Sequence, residues 1–199
     1  IRDSKLPNLK LISQTGKVSG HVDVAAASAR GIAIAEGIGS PIAPAELTWA
    51  LIMAASRKIL PYANNLKEGI WQTASVNPQL NGLGRALHGR TLGIWGYGKI
   101  GRLLAGYGKA FGMKVMVWGS ETSRAAAVAD GCSAAASRAA FFAEADLLSL
   151  HLRLGPATRG IVTGDDLARM KPDALFVNTS RAELVAEGAL EEALRRGFP

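Results

Sequence analysis

Residues 92–104 read LGIWGYGKIGRLL, with glycines at 96, 98 and 101 between an apolar run and the start of an amphipathic pattern. G-x-G-x-x-G alone is a weak signal, because many strand-to-helix turns are rich in glycine. It gains force when a strand precedes it, a helix follows, and a second strand closes a β-α-β unit. In that setting each glycine has a task. Gly96 permits the tight turn, Gly98 leaves room for a diphosphate to reach the backbone, and Gly101 lets helix and strand pack closely. The free N–H groups of Lys99 and Ile100, aided by the helix dipole, would then hold an anion.

The flanking elements meet that test. Strand-like TLGIWG (91–96) leads into helix-like KIGRLLAGYGKAFG (99–112) and strand KVMVW (114–118). Helices 123–131 and 137–145 flank a short CSAA stretch. Strand DLLSLHL (146–152), helix 164–172, strand ALFVNTS (174–180) and helix 187–197 complete the run. Alternation at this spacing predicts an α/β fold with a doubly wound parallel sheet from about residue 90 onward. Upstream, 8–16 reads as a strand and 23–37 as a helix followed by a second strand. From Ala45 to about Ala55 the chain is apolar nearly all round, which predicts a helix over about 45–60 buried on several sides, kinked or ended at Pro61. Residues 74–89 read as a loop.

Composition narrows the class. With 199 residues, 48% hydrophobic and 20% charged, the chain is ordinary for a globular protein. Its net charge of +7 suits anionic ligands. The basic residues are scattered, with no run longer than Arg195-Arg196 and few aromatics among them, which argues against nucleic acid. No stretch has the ~18–20 apolar residues of a membrane span. The single cysteine, Cys132, allows no internal disulfide and fits a reducing, cytoplasmic setting. Paired His or Cys at ligand spacing are absent, so no metal is expected.

The end of the second strand bears on which dinucleotide is bound. An NAD site usually carries Asp or Glu there, about twenty residues past the glycines, to hold the ribose hydroxyls. Here VMVWGSETSR places Gly119 at that point, followed by Ser120, Ser123 and Arg124. These residues could meet a 2′-phosphate, while Glu121 argues the other way. The expectation is NAD or NADP, with a slight lean to NADP.

Three ordered segments, GRTLGIWGYGKIGRLLAGYGKAFGMKVMVW, DLLSLHLRLGPATRGIV and MKPDALFVNTSRAELV, together resemble the NAD(P)-dependent D-isomer-specific 2-hydroxyacid dehydrogenases. Upstream LKLISQTGKVSGHVDVAAASARGIAI and APAELTWALIMAASR extend the resemblance over nearly the whole chain. It implies a Rossmann-type domain at 86–199, an interdomain and dimerisation segment at 41–85, and the remnant of a flavodoxin-like substrate domain at 1–40. It further implies interconversion of a 2-keto acid and a D-2-hydroxy acid by hydride transfer, in a homodimer. The family's cofactor contacts fall at Gly96, Gly98, Lys99, Ile100, Gly101, Leu152, Thr179 and Ser180. Its substrate-carboxylate arginine falls at Arg181, where a guanidinium could fork onto a carboxylate and polarise the adjacent carbonyl. An arginine paired with Glu183 is the competing reading. The glycine loop of the substrate domain corresponds to TGKVSG, keeping Gly16, with Lys17 and Val18 in place of smaller residues. Ala182 stands where the family usually has glycine.

The family's His general acid/base and its partner carboxylate fall past the last residue. His151 matches a position near the cofactor and reads as structural; His21 and His88 lie in expected loops. With no initiating Met and an end just after a helix, the chain reads as truncated at both ends and is not expected to turn over alone. Two other readings compete. One is a non-catalytic NAD(H)-binding regulator of the corepressor type, a branch of the same family. The other is formate oxidation, for which additional pocket residues would be needed.

Overall fold

The computed structural model describes residues 6–18 and 21–197. Contacts divide the chain into two units, Ile1–Pro41 and Ile42–Pro199. In the first, β1 (Leu11–Gln14) and β2 (Ala33–Glu36) form a parallel pair, with Leu11 opposite Ala33 and Gln14 opposite Glu36. Helix α1 (Val24–Ala29) connects them. Its first turn is capped by Asp23, whose carboxylate accepts from the Ala26 amide at 2.9 Å.

The second unit opens with α2 (Ile42–Ser56), α3 (Ile59–Lys67) and α4 (Gln72–Val76). The apolar run expected as one helix to about residue 60 is therefore two. The break lies at Lys58, which adopts a left-handed conformation with φ 53°. Pro61 does not end a helix; it sits in the first turn of α3, where its missing N–H costs nothing. Helix α4 also occupies the start of the stretch expected as loop. On α2, Ala45, Thr48 and Ile52 are buried, and the ring of Trp49 lies 5.0 Å from that of Phe111.

Then comes the expected alternation: β3 (Thr91–Trp95), α5 (Lys99–Ala110), β4 (Lys114–Trp118), α6 (Glu121–Ala129), β5 (Ser133–Ala134), α7 (Arg138–Glu144) and β6 (Leu147–Leu150). Helix α8 (Gly164–Leu167), β7 (Leu175–Asn178), a 3-10 turn (Ala182–Leu184) and α9 (Ala189–Arg195) complete it. The strands form a parallel five-stranded sheet in the order β5-β4-β3-β6-β7. This is the doubly wound Rossmann arrangement. Strand β6 is buried at every position, as a strand covered on both faces must be. One core face gathers Leu92, Ile94, Tyr97, Leu104 and Val117 against Trp49 and Met53 of α2. The other packs Trp95, Phe141 and Phe142 edge to face, with Leu148, Leu150 and Leu167.

Helices α8 and α9 are shorter than the periodicity suggested. Thr163 caps α8 in a reciprocal box with Asp166, and the Arg138 guanidinium pairs with the same carboxylate. Burial alone would raise the Asp166 carboxyl, but Arg138 and the Thr163 donors outweigh it and hold it below the usual carboxylate range. Among the described residues, no helix is long and apolar enough to cross a membrane.

Candidate dinucleotide site

Sheet register sets the site. Trp95 pairs with Trp118 and with Leu150, and Leu150 pairs with Asn178. The carboxyl ends of β4, β3, β6 and β7 therefore lie side by side. Gly96, Gly119, the His151-Leu152 pair and Thr179 follow them in one row. The order in which the strands are laid down reverses between β3 and β6, the switch point where such sheets bind ligands.

The glycines divide by what surrounds them. Gly96 has φ 103°, and a Cβ there would stand 2.5 Å from the His151 carbonyl oxygen and 3.3 Å from the Leu152 side chain. At Gly101 a Cβ would stand 2.2 Å from the Gly96 carbonyl oxygen. Both are demanded by packing. Around Gly98 a Cβ would meet nothing within 4 Å, and its φ of −88° suits any residue. Protein packing gives no reason for glycine at 98; an approaching ligand does.

Gly98 is also the N-cap of α5 and supplies no capping side chain. Ser120, Ser137 and Thr163 cap α6, α7 and α8 with their hydroxyls. The opening amides of α5, at Lys99, Ile100 and Gly101, precede the first bond of the helix and have no protein acceptor among the described residues. Lys99 is exposed and Ile100 half-buried. A diphosphate fits this uncapped, positively polarised end.

Gly119 lies against the same turn: a Cβ there would be 3.9 Å from the Gly96 nitrogen. The Ser120 hydroxyl accepts from the Ser123 amide at 3.2 Å and lies 3.1 Å from the Ser123 hydroxyl. Arg124 stacks its guanidinium 5.0 Å over the Trp118 ring. No carboxylate follows β4 until Glu121, in the first turn of α6.

The β7 end is held by hydroxyls. Ser180 donates to the Leu150 carbonyl at 2.8 Å, and Asn178 donates to the Arg181 carbonyl. Thr48, fully buried on α2, donates to the Pro44 carbonyl and lies 2.7 Å from the Thr179 hydroxyl. With the Thr48 proton committed to Pro44, Thr179 is the donor in that pair. The exposed Arg181 guanidinium donates to the Ser180 carbonyl at 2.8 Å. It makes no ion pair among the described residues, so the pairing with Glu183 does not form. A cavity of about 640 Å³ runs from Asn178 and Arg181 to Gly188 and Glu191. It does not reach the glycine turn.

In the first unit, Gly16 has open space around it. Lys17 pairs with Glu36 at 2.7 Å, and the Val18 amide donates to the same carboxylate at 2.8 Å. The acid that Lys17 attracts is thus one of the chain's own. Ser19 and Gly20 of that loop lie outside the described residues. His21 bonds Gln14, and His88 packs against Gly112. The His151 ring bonds Ser149 at 2.8 Å, and burial pulls its pKa down to about 4. A neutral imidazole bonded to a neighbouring serine fits a structural role. Among the described residues no cluster of three metal-ligating side chains occurs.

Sequence reasoning missed the roles of Thr48 and Tyr97. Their partners, Thr179 and Asp130, are distant in the chain, and no local spacing links them.

Residues 49–198 match the family model described as D-isomer specific 2-hydroxyacid dehydrogenase, NAD binding domain. The chain belongs to this family, an oxidoreductase family, and carries its NAD-binding domain. It is 36% identical to a glyoxylate reductase of Aeropyrum pernix over 98% of the chain and 58% of that protein. Against a D-3-phosphoglycerate dehydrogenase of Mycobacterium leprae it is 36% identical, over 96% of the chain and 35% of the relative. Among solved structures, a phosphoglycerate oxidoreductase from Vibrio cholerae superposes with TM-score 0.90 at 60% identity, over 96% of this chain and 60% of that one. The chain spans less than two thirds of each of these relatives.

Proposed function

We propose that the chain is the dinucleotide-binding part of a dehydrogenase that interconverts a 2-keto acid and a D-2-hydroxy acid. The observation that carries this is Gly98: an open approach to uncapped amides at the switch point of a doubly wound sheet. When bound, the nicotinamide supplies hydride chemistry. The chain's residues do the rest. The Lys99–Gly101 amides take the diphosphate charge, Leu152 forms an apolar wall against the turn, and Thr179 and Ser180 fix the backbone that presents Arg181. Arg181 would fork onto the substrate carboxylate and draw charge toward the carbonyl oxygen as it becomes negative. The proton must come from a group beyond these residues, and a protein without one would act as an NAD(H)-binding regulator. A substrate named by either relative, glyoxylate or 3-phosphoglycerate, has the carboxylate this arrangement needs.

NAD(H) is the family's cofactor, and the end of β4 sets Gly119 and Ser120 ahead of its first carboxylate, Glu121. Calorimetric titration is therefore expected to give dissociation constants for NADH and NADPH within about tenfold of each other, ~1.4 kcal/mol. No heat with either from a folded sample would end the dinucleotide reading. A hundredfold preference for NADH would end the openness to phosphate.

We further propose that the protein forms a homodimer through α2 and α3. Leu47, Leu51 and Leu60 on these helices leave 56%, 46% and 68% of their surface exposed, and a second copy would cover them. Sedimentation at micromolar concentration should give twice the chain mass, falling to the monomer when Leu47 and Leu51 are both replaced by Lys. A native monomer would refute it.

A further inference from the structure

Tyr97, the middle residue of the G-Y-G turn, turns its side chain into the core. It lies between two glycines. Gly96 has φ 103°, and Gly98 has nothing within 4 Å of where its Cβ would be. A turn hinged on two glycines has more freedom to lose when it grips an anion. Tyr97 removes much of that freedom in advance. Its side chain is 6% exposed and belongs to the core cluster of Leu104, Val117 and Ala127. Its hydroxyl donates to Asp130 Oδ2 at 3.0 Å, with Cys132 Sγ 3.7 Å away.

The bond to Asp130 closes a circuit. Asp130 is the C-cap of α6, and its carboxylate also pairs with Arg102, in the opening turns of α5. The Arg102 guanidinium lies 4.8 Å from the centre of the Tyr97 ring. Lys109, further along α5, donates to the Asp130 carbonyl. The turn, the start of α5 and the end of α6 therefore share one carboxylate. Burial, with Cys132 and Asp130 alongside, pushes the Tyr97 hydroxyl above its ordinary pKa, so it stays a donor throughout the neutral range.

We propose that Tyr97, through its hydrogen bond to Asp130, is a positioning residue that holds the Lys99–Gly101 amides in register for a nucleotide diphosphate. The inference rests on the reading of this turn as the diphosphate site. It makes Asp130, at the far end of α6 from Ser120, a determinant of affinity although it touches no ligand.

Tyr97→Phe keeps the ring and removes only the hydroxyl. Asp130 keeps Arg102 as a partner and is 43% exposed, so no buried charge is stranded. The readout is the ratio of ADP to adenosine affinity, measured by calorimetry on the native chain and on the variant. The native chain should bind ADP much more tightly than adenosine. In Tyr97→Phe that ratio should fall about tenfold, a charge-assisted bond's worth, with adenosine affinity unchanged. Asp130→Ala should reproduce the fall, and Asp130→Asn, which keeps an acceptor oxygen, should retain most of the native ratio. A Tyr97→Phe protein with the native ratio, even one melting at lower temperature, would overturn the positioning role. A native chain that does not distinguish ADP from adenosine would instead overturn the diphosphate reading beneath it.

Discussion

Replacing Gly98 with Asp is expected to raise the melting temperature while abolishing dinucleotide binding. The opposite signs follow from one geometry. Gly98 is the N-cap of α5, with φ −88° and ψ −159°, extended values open to any residue. A Cβ there meets no atom within 4 Å. Asp is among the best N-cap residues: its carboxylate would accept from the amides that start α5 and complement the helix dipole. The gain over glycine is about 0.3–1 kcal/mol, or roughly 1–3 °C for a chain of this size. The same carboxylate would fill the diphosphate's place and oppose its charge. At about 4 Å and an effective dielectric near 20 that repulsion is ~4 kcal/mol, about a thousandfold in affinity. Thermal melting and NADH calorimetry on one preparation check both halves. A Gly98→Asp protein that still binds NADH as tightly as the native chain would show that the anion does not sit on these amides. Gly96 and Gly101 cannot serve for this test. Side chains there strike the His151 and Gly96 carbonyls, so binding would be lost with the fold.

What local pattern could reveal, and what it could not, divides along the same line. Strand β3, the glycine turn and α5 are legible because apolar run, glycine spacing and helical periodicity are contiguous. Conformation there follows from neighbours within a few residues. The break between α2 and α3 is not legible. Ser56, Arg57 and Lys58 interrupt the apolar run there, but Arg and Lys are good helix formers and signal no stop; the break rests on a left-handed Lys58 with no glycine to mark it. Pro61, the visible punctuation, falls inside the next helix. Long-range pairing is equally silent in sequence. Lys17 is a candidate for an acidic ligand until Glu36, nineteen positions on, is brought beside it by the β1–β2 register. Thr48 looks like an ordinary helix residue until the sheet carries Thr179 to it. The Rossmann frame is thus written locally, while the tuning of its site is written in contacts that only the fold creates.

Arg181 supplies the second large effect. It follows β7 in the row of strand ends, it is exposed, and its guanidinium is engaged only with the Ser180 carbonyl among the described residues. Glu183, two residues on, does not pair with it. The guanidinium is therefore available for an incoming carboxylate. Arg181→Gln removes the charge and the planar fork but keeps length and polarity. Each charge-assisted bond contributes about 1.5–3 kcal/mol, so in a protein that also carries the proton donor, losing a bidentate pair should lower kcat/KM for glyoxylate or D-3-phosphoglycerate by about a hundredfold to ten-thousandfold. In the NADH-loaded 199-residue chain the same loss should appear as weaker glyoxylate binding. Melting temperature should shift little, because exposed substitutions away from packed features stay within about 0.5 kcal/mol. NADH affinity should hold, since the glycine turn is untouched. Arg181→Lys restores the charge without the fork, and its recovery should be partial. If Arg181→Gln leaves 2-keto acid turnover and binding at native levels, the carboxylate is held elsewhere, and the exposed guanidinium at the end of β7 serves the surface alone.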